Sequence, residues 1–457
     1  MMSKKPFNYF NKLLVIKRTL FLSGFRGRKR AGFPAEGGKS EARDPERATL
    51  GRARKAKKLC PLYDAGFVKF ASQLGIAGFF FTMAALLFFW SPAADQARVA
   101  SIFQFSKQSD CLAPGQSDCL VQVPAPKPRH ISTPEPLKAI YMTSWVAGTK
   151  DWRRELAEFV SKTELNAIVI DIKDYSGYVA FDTGDELIQS LGAEDIRIND
   201  LKEFIDYLHD QEIYTIARIT VFQDPVYAKT HLDQAVQRMD GTLWKDRKGL
   251  SFIDPTSQQF REYIVRIAQV AERVGFDELN FDYIRFPSDG NMSDIAFPLS
   301  GNRPKAEVLE EFFKNLRSDL RDIGIPLSAD LFGMTMTNTD DLNIGQVLER
   351  TEPYFDYIAP MVYPSHYPSG WNNFQNPAEK PYEVVHIAMS EGVARMLAAS
   401  SSPSKLRPWI QDFDLGADYD ADKVRAQIQA TYDAGLTSWM AWDPGNRYTR
   451  DAYAPEE

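Results

Sequence analysis

Asn280-Phe281-Asp282-Tyr283-Ile284-Arg285-Phe286-Pro287 joins a strand-like apolar run to an acid, an arginine and a proline. An acid flanked by Phe281, Tyr283 and Ile284 is costly to bury without a purpose. Two similar settings surround Asp171, in Ile168-Val169-Ile170-Asp171-Ile172-Lys173-Asp174, and Asp330, in Ser328-Ala329-Asp330-Leu331-Phe332. Carboxylates gathered at one mouth can cleave a glycosidic bond, with one protonating the leaving oxygen and another acting as nucleophile or base. Arginine and lysine among them would separate their pKa values and so assign the two roles. Asp282, Asp330 and Asp171 are therefore the catalytic candidates. Lys173, Arg218, Arg285, Tyr363, Gln411 and Trp442 are the candidates for holding substrate. Exposed Trp and Tyr rings suit the C–H face of a sugar.

Those residues need elements to carry them. From Leu137 onward, short β-rich runs alternate with helical stretches. The expected strands are Lys138–Thr143, Ala167–Asp174, Tyr214–Phe222, Glu278–Phe286, Leu327–Met334, Tyr357–Tyr363, Arg407–Phe413 and Ser438–Trp442. Between them helices are expected at Trp152–Lys162, Asn199–Asp210, Ser257–Val274, Pro304–Ile323, Ile344–Tyr354, Pro381–Leu397 and Asp422–Ala434. Eight strands separated by single helices is the count of a (β/α)₈ TIM barrel, over residues 137–450. A doubly wound open sheet is the alternative, but the first strand runs into Ser144-Trp145-Val146-Ala147-Gly148 without a glycine-rich phosphate turn. The chain stops soon after the eighth strand, so the last helix is expected to be absent or replaced by the leader or linker.

In such a barrel the strand C-termini form the active face, and alternate residues point inward. That rule places Asp171 with Lys173, Asn280 with Asp282, and both pairs near Asp330. Lone acids beside proline, as in Asp443-Pro444 and Asp254-Pro255, read instead as caps. No nucleophile elbow, HxH or HExxH motif occurs, which leaves serine-hydrolase and zinc-hydrolase chemistry without its residues. No metal site and no organic cofactor are expected. A deacetylase or lyase would have to rely on His366 and Tyr363.

The N-terminal third has a different character. Residues 1–69 hold 18 Lys and Arg against 5 Asp and Glu, a net of +13, whereas the rest of the chain carries −20. Residues 1–69 read as a disordered basic tail. Residues 70–94 carry no charge, close to the roughly 20 apolar residues a spanning helix needs. The basic flank places the tail in the cytoplasm and the acidic part outside. The expectation is a single-pass transmembrane signal-anchor in the cytoplasmic membrane, with the barrel on the extracytoplasmic, periplasmic side. The alternative is a signal peptide cleaved after Ala93-Ala94. Residues 95–136 form a Pro-rich, extended linker, in which Cys111 and Cys119 are spaced for a disulfide. The acidic balance of the main domain argues against nucleic acid as its partner. Polysaccharide or oligosaccharide is the expected substrate.

The stretches Asn166–Asp174, Asn280–Pro287, Ala359–Tyr367 and Arg407–Phe413 resemble a family of putative glycosyl hydrolase barrels known mainly as a domain of unknown function. The resemblance spans about Lys138 to Tyr448. It implies a (β/α)₈ barrel related to polysaccharide-cleaving glycosidases. More distantly, Phe281–Pro287 is similar to the Phe-Asp-Asp-Tyr-x-Tyr-Pro strand of glycosidase-like lipoproteins and exopolysaccharide hydrolases. By position Asp282 takes the catalytic assignment. Tyr283 stands where those proteins have a second acid. Two readings follow: a glycoside hydrolase acting on a cell-envelope or exported polysaccharide, and a non-catalytic carbohydrate-binding barrel in envelope assembly.

Overall fold

Runs of Val, Ile and Ala dominate the strands because a parallel strand in this architecture is covered on both faces. In the computed structural model, which describes residues 128–455, all seven residues of Ala167–Lys173 are buried. The eight strands are β1 (Lys138–Met142), β2 (Ala167–Lys173), β3 (Tyr214–Thr220), β4 (Glu278–Asp282), β5 (Leu327–Phe332), β6 (Tyr357–Met361), β7 (Trp409–Gln411) and β8 (Trp439–Trp442). Each pairs in parallel with the next, and Lys138–Ile140 of β1 pairs with Trp439–Ala441 of β8 to close the barrel. The (β/α)₈ architecture expected from the sequence is the one observed.

Side-chain alternation divides the apolar residues into two bodies. Ile140, Ile168, Ile170, Ala217, Ile219 and Leu279 face outward and merge with the helices into one core. Ala139, Tyr141, Ala167, Val169, Tyr214, Ile216, Ala359, Trp409 and Met440 fill the barrel interior as a second. Near the strand N-termini that interior is polar. Arg407 pairs with Glu278 at 2.9 Å, both almost fully buried, and the Tyr214 hydroxyl donates to Glu278 at 3.2 Å.

The crossover helices are α1 (Lys150–Ser161), α2 (Leu201–Asp210), α3 (Gln258–Val274), α4 (Lys305–Asp319), α5 (Leu348–Thr351), α6 (Pro381–Ala398) and α7 (Ala421–Asp433). Local chemistry sets their ends. The Ser257 and Asp420 side chains accept the N–H groups of Phe260 and Lys423, and Gly275 ends α3 at a φ of 118°.

Two expectations change. β4 stops at Asp282 rather than Phe286, because Tyr283 turns into the left-handed region at φ 53°. α5 is one turn instead of the expected Ile344–Tyr354. Gly345 has a φ of 88°, and Ile344 and Gln346 are held by Phe286 and Phe332. No α-helix follows β8 among the described residues, one of the outcomes expected; residues 443–455 pack there. Tyr448 and Tyr453 pack on Phe159 of α1, and Pro455 bridges to Thr163. Residues 129–131 also lie at the strand N-terminal end, where the Ile131 amide donates to Asp277 just before β4.

No helix among the described residues is long and apolar enough to cross a membrane. The expected tail (1–69), span (70–94), Cys111–Cys119 pair and most of the linker (95–136) lie outside them.

Candidate active site

One guanidinium organises the barrel mouth. Arg218 rises from β3, and its neighbours β2 and β4 set Asp171 and Asn280 level with it in register. Its Nη1 donates to Asp171 Oδ1 and its Nη2 to Asp282 Oδ2. Its Nε stands 3.5 Å from Asp330 Oδ2. The three carboxylates come from β2, β4 and β5 and are 4%, 3% and 1% exposed, in that order.

Each acid has a different surrounding. Both Asp171 oxygens are occupied, one by Arg218 and the other by the Tyr141 hydroxyl from β1. Asp282 accepts the Tyr283 amide through Oδ1, a contact made possible by the left-handed turn at Tyr283. A bulky residue there is uncommon and stores local strain. Asp330 Oδ1 accepts two neutral N–H groups, from Asn280 Nδ2 at 2.9 Å and Trp409 Nε1 at 2.8 Å.

One positive charge cannot balance three buried carboxylates, so protonating one of them relieves the excess. The proton goes to Asp330. Burial first, and the Asp282 charge second, push its pKa up to about 7. Burial also raises Asp171, opposed by Arg218 and Tyr141. The mouth thus holds an acid able to keep its proton near neutrality beside a carboxylate ion-paired to arginine. That is the division of labour general acid–base chemistry requires.

An aromatic wall stands on the β6–β8 side. Tyr363 stacks on Trp442 with ring centroids 5.0 Å apart, and Phe413 meets both edge-on. The buried Tyr363 phenol is raised well above its ordinary pKa, mainly by burial and then by Asp330.

The structure therefore brings together Asp171, Asp282, Asp330, Arg218, Tyr363 and Trp442. The other three expected site residues are engaged in structural contacts. The Lys173 ammonium is fully buried, 3.0 Å from Asp224 and donating to the Thr220 carbonyl at 2.7 Å. A register shift between Asp171 and Lys173 breaks the alternation that would have put them on one face. Arg285 lies past the end of β4, donates to Ser288 Oγ and the Phe286 carbonyl, and sits over the Tyr283 ring. Gln411 uses its amide to fasten loops, accepting from the Ser365 amide and donating to the Phe413 carbonyl. Tyr141 is the participant that sequence reasoning missed. Its signal was alternation with inward-facing Ala139. Asp443, with a pKa raised by burial to about 6, and Asp412, which holds the Tyr453 hydroxyl and Thr449 amide, organise the segment after β8.

Residues 139–448 match the model of a family described as a putative glycosyl hydrolase domain. No curated protein matches the chain. Among solved structures, a hypothetical protein from Ruminiclostridium thermocellum ATCC 27405 is 33% identical, over 42% of this chain and 96% of its own, with a TM-score of 0.39. The glycoside hydrolase domain of PgaB (BpsB) from Bordetella bronchiseptica is 13% identical, covers 73% of this chain and 100% of its own, and has a TM-score of 0.50. The PelA glycoside hydrolase domain from Pseudomonas aeruginosa is 10% identical over 68% and 96%, with a TM-score of 0.39.

Proposed function

The chain belongs to that glycosyl hydrolase domain family, and from this premise we propose that it hydrolyses O-glycosidic bonds of a cell-envelope or exported polysaccharide. The observation that carries the reading is the shared guanidinium. Arg218 pairs directly with the Asp282 carboxyl, while Asp330, pushed up to about 7, retains a proton. Asp330 donates that proton to the leaving glycosidic oxygen as the C–O bond breaks. Asp282 serves the anomeric carbon, either directly as nucleophile or by taking a proton from the attacking water. Water supplies the hydroxyl that ends on the anomeric carbon and the proton that restores Asp330. Asp171, with both oxygens engaged, holds Arg218 in position. Tyr363 and Trp442 form the wall for the sugar ring. We assign the barrel to the extracytoplasmic side of the membrane on the strength of the basic, apolar and Pro-rich segments that precede it.

A second reading, a non-catalytic carbohydrate-binding barrel, draws on the low exposure of the same carboxylates beneath Arg218. Incubating the full chain with a panel of envelope and exported polysaccharides separates the two. Hydrolysis predicts new reducing ends that Asp282→Asn does not release. Retention of glycan without release, equal in both proteins, supports the binding reading.

A further inference from the structure

Two of the most exposed aromatic side chains among the described residues stand next to the mouth. Trp145, in the one-turn helix Ser144–Ala147 after β1, is 64% exposed, and Tyr175, in the loop after β2, is 58% exposed. Single exposed apolar residues need no explanation. Here, however, the Trp145 ring has a built-in support. The Arg197 guanidinium lies 4.6 Å from the centre of the Trp145 ring. It bonds Asp174 at 2.5 Å and Ser144 Oγ at 2.9 Å, flanking Tyr175 and Trp145 respectively, and Asp195 holds its Nε at 2.8 Å. Its side chain is 6% exposed. Gly148 permits this approach, since a Cβ there would lie 2.1 Å from the Arg197 carbonyl oxygen. The indole therefore rests on a fixed cation, a contact that gains as water is excluded from it, and most of its surface remains open.

The two rings are continuous with the carboxylate cluster through the chain. Trp145 follows four residues after Tyr141, which bonds Asp171, and Tyr175 follows four residues after Asp171. Both segments follow strand C-termini and so lie on the active face. We propose that Trp145 and Tyr175 form a second saccharide subsite, a shelf on which a polysaccharide chain rests two or more residues away from the bond held at Asp282 and Asp330. The reading rests on the glycan-acting function above. It adds a preference for polymers over short substrates. The occupant is a pyranose presenting its C–H face to the indole, held by stacking rather than by charge.

The test uses the full chain in native gels cast with chitosan, hydroxyethylcellulose, soluble starch or dextran. Hydrolysis of 4-nitrophenyl monosaccharides, which occupy only the cluster, is measured in parallel. At least one polymer gel is expected to retard the wild type. Trp145→Ala and Tyr175→Ala are each expected to weaken that retardation about three- to tenfold. Trp145→Phe should restore most of it, and none of the three should change nitrophenyl hydrolysis. Wild-type retardation in both alanine variants overturns the shelf, and so does a wild type that no polymer retards. A wild type that binds polymer through Trp145 and Tyr175 but cleaves no glycoside keeps the shelf and removes the hydrolase reading.

Discussion

The Nε of Arg218 stands 3.5 Å from Oδ2 of Asp330, beyond a good charge-assisted hydrogen bond. The same guanidinium binds Asp171 and Asp282 directly. That inequality leaves Asp330 as the member of the cluster that keeps a proton. If Asp330 is the general acid, kcat/KM falls as pH rises through about 7, with a tenfold loss per unit on the alkaline side. A pH–rate profile on any cleaved glycan checks this, and a flat profile between pH 6 and 9 removes Asp330 from the role.

The same proton affects stability. The folded pKa of Asp330 is raised from 3.8 to about 7, so between those values the folded state binds more proton than the unfolded chain. Stability is therefore greatest below about pH 4 for this group and declines as pH rises toward 7. The share is on the order of a few kcal/mol at most. Asp171, Asp412 and Asp443 shift in the same direction. Denaturant unfolding at pH 5 and pH 8 should show a smaller difference in Asp330→Asn than in the wild type.

Removing the guanidinium leaves three buried acids uncompensated. Arg218→Met is expected to destabilise the barrel by about 3–5 kcal/mol at pH 8. The loss should shrink at pH 5, where Asp330 carries its proton. Thermal melts at both values decide it, and equal losses would show that the arginine contributes packing rather than charge balance.

Lys173 and Asp224 form a fully buried pair 3.0 Å apart. Lys173→Met should cost about 3–5 kcal/mol by stranding Asp224, and Lys173→Met with Asp224→Asn should recover much of it. KM per folded molecule should stay unchanged in both. A raised KM with unaltered stability would restore Lys173 as a substrate-binding residue.

The barrel was legible because β-rich runs and helical periods alternate without interruption from Leu137. Six strands start where the pattern places them; β7 begins two residues late at Trp409 and β8 one residue late at Trp439. Ends were harder to read. Asp282 and Phe286 look like one strand, and only the backbone shows that Tyr283 reverses direction at φ 53°. α5 looked longer because Ile344, Val347 and Leu348 have helical spacing, while Gly345 is held in a left-handed turn. In the site, strict alternation correctly gathers Asp171, Arg218, Asp282 and Asp330. It fails at Lys173, where one irregular step in register sends the ammonium to Asp224. Tyr141 went unnoticed because an inward tyrosine on an apolar strand reads as core until its hydroxyl is seen on Asp171.

The most direct measurement is release of reducing ends from a polysaccharide by the wild type, Asp282→Asn and Asp330→Asn, each with its melting temperature. The hydrolase reading predicts a loss of about a hundredfold or more in both variants while each remains folded. Asp282→Asn working at the wild-type rate would contradict it.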